Sequence, residues 1–129
     1  MSESPVGMTL AEAVDALADR FRAMPQSRLL GAVPGHPSRA AAGLALARWL
    51  ATEAQRAETG PEATGAGTTG TGNGAPPREL PDAGPFAVGD QLAVVGHDLV
   101  TALAARPGED TAAVRAEALG RVARTAAVL

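Results

Sequence analysis

The sequence predicts an all-α protein: two antiparallel helical hairpins, residues 9–58 and 85–129, packed as a four-helix bundle and joined by a disordered Gly/Thr/Pro-rich linker. Three observations carry this. Apolar residues recur at spacings of three and four in four separate stretches. Each stretch is bounded by capping residues, proline or glycine. Between the second and third lies Thr59–Pro77, TGPEATGAGTTGTGNGAPP, which has no periodicity and almost no charge.

Residues 1–8 read as a loose tail. Thr9-Leu10-Ala11-Glu12 has the capping-box pattern, in which Thr9 accepts from the Glu12 N–H and Glu12 reaches back to the Thr9 N–H. Leu10, Val14, Leu17, Phe21 and Met24 follow as a narrow seam, with Glu12, Asp15, Asp19 and Arg22 opposite. The first helix therefore spans Thr9–Met24 and stops at Pro25. Pro25–Pro37 is a connector, with a short turn at Ser27–Leu30 that tucks Leu29 and Leu30 inward. Its segment Gly31–Ser38 has the wrong glycine spacing for a phosphate loop, and no Lys precedes Ser38. It reads as a turn, with Ser38 as a helix N-cap.

The second helix is expected from Ser38 to Glu58. Ala42, Gly43, Leu46, Trp49, Leu50, Ala54 and Ala57 share a face that also holds Glu53, while Leu44, Arg48 and Gln55 point away. Residues 59–84 form the linker region, its Gly-rich part with a reach of about 5–6 Å times the square root of its length.

Pro85–Ala105 has the longest apolar period with a clean start and stop. At about 100° per residue, Phe86, Val88, Gly89, Leu92, Ala93, Val95, Gly96, Leu99, Val100 and Leu103 fill roughly half the circumference. An arc that wide implies two neighbours. Pro85 suits a first turn, Asp82 or Gly84 can cap it, and Pro107-Gly108 stops it. Gly89, Ala93 and Gly96 form its small side, expected to approach the Gly43–Ala47 or Trp49 side of the second helix, or the same helix of a partner chain. Val88, Val95 and Leu99 form the bulky side, expected to face the first helix. The last helix, from Glu109, has Val114, Ala118, Leu119, Val122, Ala126 and Leu129 on its apolar side and Glu117–Arg121 as an i,i+4 pair.

Composition bounds the function. The chain has 129 residues, a net charge of −3 and no Cys, which excludes disulfides and thiolate metal sites. All 11 basic residues are Arg, a codon bias that points to a high-GC bacterial genome. No run of basic residues marks a nucleic-acid binder. No apolar run reaches the roughly 18 residues that span a membrane, and the N-terminal residues lack a signal core. A cytoplasmic location is the expectation. Two Phe, one Trp and moderate Leu and Val make a thin core, so a protein partner or a second copy is expected.

No cofactor or catalytic signature stands out, and a non-catalytic role is expected over an enzyme. Trp49, Gly89, Ala93 and Gly96 are the candidate interaction residues. His97 and Asp90, on the polar side of the third long helix, form the candidate polar site, although two turns separate them. The alternative function they imply is a small-molecule or metal-binding regulator. Ser27-Arg28 is a further candidate anion contact. The leading reading is a self-associating interaction or assembly module.

Overall fold

The computed structural model describes residues 8–70, 80–105 and 108–129, without the side chains of residues 59–70 and 109. The fold is all-helical, and the described residues contain no strand. Helix α1 spans Leu10–Ala23, α2 is the single turn Gln26–Leu29, and α3 spans Arg39–Gly70. A 3-10 turn at Pro85–Ala87 leads into α4, Val88–Ala104, and α5 spans Glu109–Ala127.

The capping box of α1 is formed in both directions: the Glu12 N–H donates to Thr9 Oγ1 at 3.1 Å and the Thr9 N–H donates to Glu12 Oε1 at 3.0 Å. Pro25 disfavours helix at the preceding residue, and Met24 is extended at φ −80°, ψ 134°. Leu10, Val14, Leu17, Phe21 and Met24 are all buried, as their spacing requires. Ser38 starts α3 by accepting the Ala41 N–H at 3.0 Å.

Helix α3 departs from the expected boundary. It continues past Glu58 to Gly70, so the linker expected from Thr59 begins in helical backbone. Growth of an existing helix adds one hydrogen bond per residue fixed, without a new nucleus. The rest of the expected linker, residues 71–79, lies outside the described residues, as do residues 1–7 of the tail. Leu44, expected to point away from the packed face, is buried in the core. Glu53 does lie on a largely covered face, where it pairs with Arg56 at 3.1 Å.

Helix α4 is the central element. It packs against both α1 and α3, as its wide arc implies. Helix α5 also contacts α1 and α3. The extensive contacts therefore run between the two halves of the sequence, rather than within the expected hairpins. Val88, Leu92, Val95, Leu99 and Leu103 are buried along α4. Each such side chain contributes about 1.5–3 kcal/mol relative to exposure.

The small side of α4 faces α1, and this corrects the expected assignment. A methyl group on Gly89 would lie 2.9 Å from the Ala18 carbonyl oxygen, and one on Gly96 would overlap the Val14 side chain. Val88, assigned to the α1 side, instead meets α3: a methyl on Gly43 would lie 2.6 Å from Val88 Cγ1 and 2.7 Å from Phe21 Cζ. Two close approaches thus exist, one per neighbour. Angular position alone gives the width of an apolar arc but not the direction in which each neighbour lies.

Phe86 is a further departure. It belongs to the apolar arc by α-helical spacing, yet it is 65% exposed. It sits in the 3-10 turn, whose three residues per turn take it out of the α4 register.

Candidate functional site

The α1–α4 seam has charged pairs at its rim. His97 Nε2 lies 2.8 Å from Asp15 Oδ1. One helical stretch away, Arg22 donates through Nε to Asp90 Oδ1 at 2.9 Å and through Nη1 to Asp19 Oδ1 at 3.1 Å. The hydrogen bond to Asp90, with that to Asp19, holds the Arg22 guanidinium above its ordinary pKa. His97 and Asp90 are therefore not brought together. Each is turned to its own partner on α1, and the two pairs flank the Gly89–Gly96 contact. All these side chains are exposed, so solvent and salt screen both pairs. Among the described residues, no group of three or more His, Asp or Glu is placed to hold a metal ion.

The other sequence-derived candidates divide in two. Gly89 and Gly96 are buried in the intramolecular seam, and Ala93 is half-buried against the core. Trp49 is half-buried against the same core, with its outer face covered by Arg121, whose Cζ lies 4.5 Å from the ring centroid. Arg121 in turn donates through Nε to Glu117 Oε2 at 2.7 Å, and Arg124 approaches the same carboxylate at 3.7 Å.

Arg28 has a partner that spacing cannot show. Its Nη2 donates to the Leu129 carbonyl oxygen at 2.9 Å, and Arg39 Nε donates to the same oxygen at 3.3 Å. Arg20 Nη1 donates to the Ala126 carbonyl at 3.2 Å. The last four carbonyls of a helix lack intrahelical donors and carry the negative end of its dipole. Arg20, from α1, meets that need at Ala126, while Arg28, from α2, and Arg39, the first residue of α3, converge on Leu129 two residues past the last residue of α5. The three arginines are far apart in sequence, so no basic run announces them.

Among the described residues, two surface grooves stand out. One, of about 290 Å³, runs between α3 and the segment that enters α4; Leu30, Leu44, Pro85 and Val88 make its apolar lining and Arg48 and Asp82 its polar edge. That segment is strapped down: Arg48 Nε donates to the Leu80 carbonyl at 2.9 Å and Gln91 Nε2 to the Pro81 carbonyl at 2.8 Å. Asp82 accepts the Gly84 N–H at 2.9 Å, and Gly84 turns the chain at φ +98°. Leu30, expected to be tucked inward, is 52% exposed at this groove, and Phe86 stands beside Pro85. The other groove, of about 270 Å³, lies between α3, the turn at Pro34–His36 and α5.

Helices fix both grooves, and the side chains that line them come from elements remote in sequence. Compared with protein-family models, with curated proteins and with solved structures, the chain matches none.

Proposed function

We propose that this chain is a non-catalytic interaction module that associates with itself through the apolar rim of Leu30 and Phe86. In this reading α1, α3, α4 and α5 form one four-helix bundle that presents the α2 turn and the 3-10 turn as a contact surface. The exposure of these two side chains is the observation that carries it. The sequence has only two Phe and one Trp. Phe21 is 2% exposed, whereas Phe86 is 65% exposed beside a groove already lined by Leu30, Leu44 and Pro85. A chain with a thin core that leaves a large aromatic in water gains most by covering it. Burying Leu30 and Phe86 against a second copy would contribute about 1.5–3 kcal/mol per side chain. A two-fold arrangement uses the same patch on both copies, so both exposed residues are covered in one contact.

Sedimentation velocity over a wide concentration range tests this. The parent is expected to shift from monomer to dimer as concentration rises. Leu30→Ser with Phe86→Ser should move that transition to higher concentration without changing helical content. A parent that stays monomeric throughout would remove the proposal.

A further inference from the structure

The groove between α3, the Pro34–His36 turn and α5 is lined by two arginines of one helix face, Arg121 and Arg124. The protein carries a net charge of −3. Here Arg121 and Arg124 share a single carboxylate, Glu117. Arg121 is fixed from two sides: its guanidinium lies over the Trp49 ring at 4.5 Å and its Nε is held by Glu117 at 2.7 Å. An arginine anchored through Nε presents its two Nη groups as a planar fork, the geometry that matches a carboxylate or phosphate oxygen pair. Arg124 stands one turn further along, with its side chain 69% exposed.

Two neutral groups complete the wall. Val33 and His36 exchange both backbone hydrogen bonds, at 3.2 and 3.0 Å, around Pro34-Gly35, with Gly35 at φ +86°. Pro followed by a positive-φ Gly is the signature of a type II turn, so His36 is carried on a stiff element. Both backbone polar groups of His36 are used in that turn. Among the described residues, neither its ring nor the Thr125 hydroxyl has a hydrogen-bond partner. Leu46, buried in α3, forms the apolar floor. The C-terminal end of α5 would ordinarily repel an anion, but Arg20 donates to its Ala126 carbonyl and Arg28 and Arg39 bring two further positive charges to Leu129 beside it.

We infer that this groove is a binding site for a small oxyanion, a carboxylate or a phosphate group, received by the Arg121 fork and Arg124 and contacted at its edge by His36 and Thr125. This site is separate from the Leu30–Phe86 rim and does not rest on self-association.

Backbone NMR of the full chain, titrated with sodium phosphate or sodium acetate at constant ionic strength, tests it. Saturable shifts are expected at residue 36 and at residues 121–128. Arg124→Gln should weaken binding about tenfold, the loss expected for one charge-assisted hydrogen bond. Thr125→Val, nearly isosteric, should weaken it to a smaller degree. Tighter binding of phosphate identifies a phosphate ligand, and tighter binding of acetate a carboxylate. Arg124 is exposed, so its replacement is expected to leave the fold intact; circular dichroism checks this for both variants. The inference is overturned if the parent shows no saturable shifts at these residues. It is equally overturned if both folded variants keep the parent's affinity.

Discussion

At the scale of single residues, the glycines of α4 matter more than any of its polar side chains. Alanine is the better helix former by about 1 kcal/mol. At Gly96 that gain is outweighed, because the new methyl would overlap Val14, a branched side chain that is 1% exposed and has nowhere to go. At Gly89 the obstacle is the Ala18 carbonyl oxygen, which is backbone and moves only with the whole helix. Gly96→Ala and Gly89→Ala should therefore each destabilise, with overpacking costing about 1–3 kcal/mol. Chemical denaturation at two protein concentrations measures this, and the loss should not depend on concentration, since both contacts lie within one chain. An unchanged or raised midpoint for Gly96→Ala would mean that α1 and α4 are not this close. His97→Ala provides the contrast. It breaks only an exposed pair with Asp15, so the loss should stay under about 1 kcal/mol.

At the scale of elements, the open question is where α3 stops being needed. Its packed residues run from Ala40 through Leu46, Leu50 and Ala54, with Ala57 partly buried beyond them. The stretch that follows is rich in Gly and Thr and includes Pro61, which removes a helical hydrogen bond. Replacing residues 60–77 by a Gly/Ser segment of equal length is expected to leave the melting temperature within about 5 °C, on the order of 1 kcal/mol for a domain this size. A larger drop would show that the helical extension to Gly70 contributes to stability. Elements of this kind were largely legible in the sequence. The seam Leu10–Met24, the capping box at Thr9, the Ser38 cap and the wide arc of α4 all follow from spacing and local hydrogen bonding, which need no knowledge of the neighbours. Three things were not legible. The facing of Gly89 and Gly96 depends on where α1 lies. The exposure of Phe86 depends on a 3-10 turn in place of an α-turn. Both grooves, and the three arginines at the end of α5, are assembled from segments that only the tertiary fold brings together. The partners of His97 and Asp90, Asp15 and Arg22 on α1, are likewise set by the tertiary fold and not by spacing along α4.

At the scale of the whole molecule, stability is unevenly distributed. Helix α4 buries Val88, Leu92, Val95, Leu99, Ala102 and Leu103 between two neighbours. Among the described residues of α5, only Thr111, Ala118 and Val122 are buried, and two of these are small. At about 25 cal/mol per Å² of apolar surface, α5 is held far less firmly than α4. Truncating Leu99, which has no exposed surface, should cost about 2–5 kcal/mol and weaken every helix together. Helix α5, by contrast, should open as a unit while α1, α3 and α4 remain folded. Native-state hydrogen exchange at low denaturant resolves the two events. Amides of α5 near Ala118 and Val122 should exchange through an opening of lower free energy than those near Leu92 and Leu99. Arg28→Ala combined with Arg39→Ala removes both donors to the Leu129 carbonyl. Because one bond is exposed and the other only partly buried, the change should lower the α5 opening energy by no more than about 1 kcal/mol and leave the α4 value unchanged. If α4 and α5 instead exchange at one common free energy, the sparse contacts of α5 are enough to bind it into a single cooperative unit.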